Sequence, residues 1–234
     1  MKSIKLRYNY IVLIISAIVL SGCGHMDKKT DQTTTTQVKD AVQAEHKPKQ
    51  DSVKHILFFG TSLTAGLGVN PERAFPALIQ QKIDSLHLPY QVINGGLSGE
   101  TSAAGKSRIN WLLKQPIDIF VSELGANDGL RGVPVTETAA NLQAVVDQVK
   151  KKYPKAKLIL TGMQMPPCMG EKYTKAFAAL FPAIAQKNKM EFVPFLLKNV
   201  GGIPRLNQKD GIHPTPEGHK IVAENVWEKL KPEL

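Results

Sequence analysis

From Val53 onward the chain repeats one pattern: a short apolar run, a turn marked by Gly, Pro or Asn, and a longer stretch with helical periodicity. Five runs carry it: His55–Phe59, Tyr90–Ile93, Ile117–Glu123, Lys157–Thr161 and Glu191–Pro194. The clearest helical stretch is Thr136–Lys152, where Ala139, Leu142, Val145, Val146 and Val149 fall near one face and Thr136 is placed to cap the first turn. Further helices are predicted over Phe75–Leu86, Ser102–Lys114, Lys172–Lys187 and Glu217–Leu230, the last with Thr215 as N-cap and Pro216 where a missing N–H costs nothing. Parallel strands need a crossover between them, and a helix is the usual one. The pattern therefore predicts an α/β fold, a three-layer α/β/α sandwich with a five-stranded parallel sheet. There is no internal repeat and no sign of a second domain. In such a sheet, ligands gather beyond the carboxyl ends of the strands, so the segments just after them are where chemistry is sought.

The first of these segments is Gly60-Thr61-Ser62-Leu63-Thr64-Ala65-Gly66. Ser62 stands where a helix could begin, so it reads either as a helix cap or as a nucleophile. A serine hydroxyl needs a base to take its proton and a third group to orient that base. Near the other end of the chain, Asp210-Gly211-Ile212-His213-Pro214 places a carboxylate and an imidazole three residues apart in a loop. Asp210 can hold one ring nitrogen of His213 while the other faces the nucleophile. The remaining histidines compete poorly: His25 and His46 precede the periodic region, His55 enters a strand, His87 follows a helix and His219 belongs to the last helix.

Two more segments offer donors to an oxyanion. After the second run comes Asn94-Gly95-Gly96-Leu97-Ser98-Gly99-Glu100-Thr101-Ser102, where the Gly99 N–H can point outward before a helix. After the third comes Gly125-Ala126-Asn127-Asp128-Gly129, where the Asn127 amide can donate. Taken singly, each also reads as a plain turn.

Together the four blocks, GTSLTAG, GLSGETS, GAND and DGIHP, resemble those of the SGNH (GDSL-like) hydrolase superfamily over about residues 54–230. ELGANDGLRG and MQMPPCMGEKYTKAF resemble its bacterial thioesterase I/lysophospholipase and arylesterase branch. The resemblance implies a flavodoxin-like sheet and a serine esterase acting on carboxylic esters or thioesters through an acyl-enzyme. It implies Ser62 as nucleophile, His213 as base and then acid, and Asp210 as its orienting partner. The N–H groups of Ser62 and Gly99 and the side chain of Asn127 would form the oxyanion hole. One position departs from the family: Thr61 replaces the Asp of Gly-Asp-Ser-Leu, which leaves the nucleophile in place and changes the hydrogen bonding available to its turn.

Other chemistries fit less well. The G-x-S-x-G elbow is absent, because Thr64 stands where its second glycine belongs, and Pro71 breaks the dinucleotide pattern begun by Gly66-Leu67-Gly68. No Walker sequence and no metal-ligand spacing occur in the chain, so neither cofactor nor metal is expected. Cys168 has no histidine motif paired with it and reads as a loop thiol. A formal net charge of +10 raises nucleic acid as a partner, but the lysines are scattered without interleaved aromatics, and none is expected. Leu130-Arg131-Gly132-Val133-Pro134 and Met163-Gln164-Met165-Pro166-Pro167 could wall an apolar acyl groove or simply pack over the sheet. A carbohydrate acetyl esterase and a non-catalytic binding lipoprotein remain the alternatives to acyl-ester hydrolysis.

The N-terminal residues read as an address. Lys2, Lys5 and Arg7 precede the apolar run Ile11–Leu20, which is too short to span a bilayer and has the form of a secretory signal. It ends Leu20-Ser21-Gly22-Cys23, which resembles the lipobox at which bacterial lipoproteins are cleaved and acylated. The expected organisation is a signal peptide over 1–22, a polar Thr-rich tether over 23–52 carrying lipidated Cys23, and the hydrolase domain over 53–234. An exported lipoprotein, anchored to a membrane and facing periplasm or exterior, follows from that organisation.

Overall fold

The computed structural model describes residues 53–234; the residues read as a signal peptide (1–22) and a tether (23–52), Cys23 included, lie outside the described residues. Five parallel strands form one sheet in the order β2-β1-β3-β4-β5. They are β1 (Lys54–Gly60), β2 (Tyr90–Gly96), β3 (Ile119–Glu123), β4 (Lys157–Thr161) and β5 (Glu191–Val193). The main helices are α1 (Ser62–Ala65), α2 (Phe75–Ser85), α3 (Ser102–Leu112), α4 (Ala126–Leu130), α5 (Val135–Lys152), α6 (Glu171–Asn188) and α7 (Pro216–Leu230). Helices α2 and α7 pack together, while α3, α5 and α6 pack in succession. With right-handed crossovers these two sets cover opposite faces, as the three-layer reading requires.

Alternation along β1 supplies both halves of the core. Phe58 meets Phe75 of α2 edge-on at 5.5 Å, and Phe59 on the other face lies near Phe120 and under the Arg108 guanidinium of α3. Burying such phenylalanines contributes roughly 1.5–3 kcal/mol each.

Two elements differ from the sequence reading. β2 continues through Asn94, Gly95 and Gly96, which read as a loop, and pairs with β1 as far as Gly60↔Gly96. These glycines are there for space: a Cβ on Gly96 would lie 2.2 Å from the Ala65 nitrogen, so β2 runs directly against the backbone of α1. Helix α5 begins at Val135 after Pro134, so Thr136 lies inside its first turn and caps nothing. Thr215 does cap α7, its hydroxyl accepting the Gly218 N–H.

The reversal of strand order falls between β1 and β3, flanked by β2 and β4. It is the switch point at which a crevice opens beyond the strand ends.

Candidate active site

Strand β1 ends at Gly60, and the chain turns at once into the single helical turn α1, which presents Ser62 at its first position. Ser62 is 8% exposed, and its Oγ lies 2.8 Å from His213 Nε2. On the far side of the ring, His213 Nδ1 lies 2.7 Å from Asp210 Oδ2. The carboxylate fixes the tautomer: Nδ1–H donates to Asp210, and Nε2 is left free to accept from the serine.

The loop that holds the imidazole is shaped locally. Asp210 Oδ1 accepts the N–H groups of Ile212 and His213, both at 3.0 Å, and Gly211, between Asp210 and Ile212, has φ +76°, which a side chain would strain. The hydrogen bond from the His213 ring, then the two backbone N–H groups, hold the Asp210 carboxyl down at about 2. Gln208 anchors the same loop: its N–H donates to the His213 carbonyl at 2.7 Å and its amide to Leu67 O at 2.7 Å, beside α1. The loop of Asp210 and His213 and the turn of Ser62 are thereby tied across 141 residues of sequence.

Asn127 sits in the first turn of α4, so the segment read as an Asn-Asp-Gly turn is a short helix entered through Gly125 at φ 108°. One Nδ2 hydrogen of Asn127 donates to Glu100 O at 3.0 Å; the second remains for a ligand in the cleft that Asn127 lines. Gly99, at φ +78°, joins the site through Arg131, which donates to its carbonyl at 3.1 Å, and does not form part of the cleft wall. Among the described residues neither the Ser62 nor the Gly99 N–H has an acceptor. Behind this loop Glu100 is buried and paired two-fold with Arg108, which also donates to Gly95 O.

Two buried carboxyls in the site were not recognised from the sequence. Asp128 accepts from the N–H and hydroxyl of Ser102, and Glu123 accepts from Thr61 and Thr64 on either side of Ser62. The signal for Glu123 was available: a carboxyl closing the run Ile119-Phe120-Val121-Ser122-Glu123 is costly to bury unless it has partners. Thr61, which stands where the family motif has Asp, bonds Glu123 through both its N–H and its hydroxyl, and this contact stiffens the Ser62 turn.

The crevice beside Ser62 has a volume of about 490 Å³. Leu130, Met163, Met165, Pro166, Phe195 and Ile212 make its wall largely apolar. The Leu130 and Met163–Pro167 segments thus reach the cleft, and Met163 and Met165 also pack into the core. Cys168 is an exposed free thiol outside that wall. Of the other described histidines, His219 is buried against Phe75, whose N–H its Nδ1 accepts at 3.3 Å. Among the described residues no group of three or more His, Cys, Asp or Glu could hold a metal ion.

A serine hydroxyl hydrogen-bonded to an oriented imidazole, beside an apolar crevice with Asn127 on its wall, is the arrangement of a serine hydrolase on an α/β fold. The chain belongs to the GDSL-like Lipase/Acylhydrolase family, whose model matches residues 58–221, and is a serine ester hydrolase of the SGNH fold. It is 37% identical over 187 residues to Esterase TesA of Pseudomonas aeruginosa, covering 80% of this chain and 92% of that one. It is 35% identical over 179 residues to Thioesterase 1/protease 1/lysophospholipase L1 of Escherichia coli K12, covering 76% and 83%. A crystal structure of TesA superposes with a TM-score of 0.73 at 38% identity, over 77% of this chain and 100% of that chain.

Proposed function

We propose that Ser62 is acylated by carboxylic esters or thioesters of simple acyl chains, with His213 as base and acid and Asp210 orienting it. The observation that carries this reading is the unbroken line Ser62 Oγ, His213 Nε2, His213 Nδ1, Asp210 Oδ2, at 2.8 and 2.7 Å. Ser62 Oγ attacks the carbonyl carbon as its proton passes to His213 Nε2. The negative charge on the carbonyl oxygen is taken up by the N–H groups of Ser62 and Gly99 and the free Asn127 hydrogen. Collapse expels the alcohol or thiol with the proton from His213. Water then gives its proton to His213, attacks the acyl-serine, and releases the acid and the restored hydroxyl.

The apolar cleft favours an acyl chain over an acetylated sugar, since its wall offers few polar partners for hydroxyl groups. The test is hydrolysis of p-nitrophenyl acetate, butyrate and octanoate and an acyl thioester, beside an acetylated glycan, together with fluorophosphonate labelling and peptide mapping. The expected label is on Ser62, and Ser62→Ala should lose at least about 10³-fold in kcat. A label elsewhere, or an active Ser62→Ala variant, would overturn the assignment.

For the N-terminal residues the sequence supports a lipoprotein: a signal over 1–22, acylation of Cys23, a tether over 23–52, and an exported, membrane-anchored enzyme. Cys23→Ala should stop partitioning into the detergent phase while leaving hydrolysis unchanged. Unchanged partitioning would reject the anchor.

A further inference from the structure

Glu123 belongs to no step of the reaction, yet it is buried at 2% exposure directly against the nucleophile turn. It is the register neighbour of Gly60, the last residue of β1. Its two oxygens have different surroundings. Oε2 takes the Thr61 N–H at 2.8 Å, the Thr64 hydroxyl at 2.8 Å and the Thr64 N–H at 3.3 Å. Oε1 has a single neighbour, the Thr61 hydroxyl at 3.0 Å, which also reaches Oε2 at 3.2 Å. A backbone N–H can only donate, whereas a hydroxyl donates or accepts with equal ease.

We propose that Glu123 is a positioning residue for the Ser62 turn and works as a neutral carboxylic acid, donating from Oε1 to the Thr61 hydroxyl and accepting at Oε2. The inference rests on Ser62 being the nucleophile.

Three further observations support it. Helix α1 has no side-chain cap of its own, and Glu123 supplies one from β3 by accepting the Thr61 and Thr64 N–H groups. Burial pushes the Glu123 carboxyl up, its hydrogen bonds with Thr61 and Thr64 only partly oppose this, and no charged group is among the influences. The titratable groups on neighbouring elements are engaged elsewhere: Asp128 of α4 with Ser102, Glu100 with Arg108, His213 with Asp210 and Ser62, and His219 of α7 with Phe75.

Neutrality matters because Ser62 sits between the two threonines. An anionic carboxylate there would oppose the negative charge that develops at the Ser62 N–H during acyl transfer, in a site where charges are poorly screened. A neutral acid braces the turn without that opposition. Thr61 suits the role: an Asp at this position, as the family name Gly-Asp-Ser-Leu implies, would put a second carboxyl against Glu123, whereas a hydroxyl accepts its proton without adding charge.

Glu123→Gln mimics the neutral acid, with its amide nitrogen facing Thr61 Oγ1 and its oxygen taking the three Oε2 donors. Glu123→Ala removes the brace. Glu123→Ala should lose at least about 10-fold in kcat with KM little changed, and Glu123→Gln should restore it to within about 3-fold of the parent at neutral pH. The parent should lose kcat on the alkaline side as Glu123 ionises, and Glu123→Gln should not. Infrared difference spectra at neutral pH should show the band of a protonated buried carboxyl in the parent and lack it in Glu123→Gln. If Glu123→Ala fails to fold, the infrared band and the Glu123→Gln profile decide. A missing band, a folded Glu123→Gln variant as impaired as Glu123→Ala, or identical alkaline limbs would overturn the proposal. Fluorophosphonate labelling of Ser62 in the same variants keeps failure of the nucleophile assignment distinct from failure of this one.

Discussion

Asp128 accepts both the N–H and the hydroxyl of Ser102, at 2.7 and 2.5 Å, and so fastens the start of α3 to α4. Gly99 lies just before the first of these helices and Asn127 lies in the second, so two proposed oxyanion donors owe their spacing to this contact. Asp128→Ala would leave both Ser102 donors without their acceptor in a buried place, at a cost of about 1–3 kcal/mol. Thermal unfolding should register that loss, and kcat should fall several-fold with KM little changed. Unaltered stability would mean that the contact does not hold the two segments together.

Asn127→Ala should act on kcat far more than Asp128→Ala does. Removing an oxyanion donor costs about 10²–10³-fold in kcat, or roughly 2.7–4 kcal/mol. Part of the effect will come from the lost hydrogen bond to Glu100 O, so thermal unfolding is measured beside the kinetics. If the drop in kcat is no larger than that of Asp128→Ala, Asn127 is only a strut.

Asp210→Asn should lower kcat by about 10⁴-fold, because an amide facing Nδ1 favours the tautomer in which Nε2 carries the proton. The Asp210 carboxyl is held at about 2, below its ordinary 3.8, by His213 first and then by backbone N–H groups. Its contribution to stability is therefore present above pH 3.8 and is lost as pH falls through about 2. With 45% of the side chain exposed, that contribution is discounted to below about 1 kcal/mol. Asp210→Asn should thus unfold near the parent temperature at neutral pH; a variant within ten-fold of parental kcat would remove Asp210 from the triad.

His219 sets an acid limit on the fold. Burial, and secondarily the His213 charge, push its imidazole down from 6.5 to about 4. The unfolded chain takes up a proton between those values while the folded chain does not, so stability falls as pH drops from 6.5 towards 4. His219→Gln should flatten the unfolding temperature across that window, and an equally steep slope in the variant would assign the acid sensitivity to another group.

The sheet was legible from sequence because each strand is a run of apolar residues closed by a turn signal, and the helix between runs carries a single apolar stripe. β2 was read three residues short because Asn94, Gly95 and Gly96 have turn propensities. Contact with Leu57, Leu112 and the α1 backbone overrides them. Ser62, Asp210, His213 and Asn127 could be singled out because each sits in a distinctive local block; the structure brings Ser62, His213 and Asn127 to one cleft, with Asp210 behind the His213 ring. Glu123 and Asp128 escaped notice because their partners lie 62 and 26 residues away, and nothing beside them in the chain announces the pairing.

Ser62 and His213 meet across 151 residues of chain, and the turn between them is braced by a strand that is neither's neighbour in sequence. No fragment emerging from a ribosome can therefore assemble the site until its last fifth has been made and docked. In refolding, recovered hydrolysis should lag behind recovered helical signal. The enzyme thus stays inert throughout its own synthesis, its chemistry switched on by topology alone.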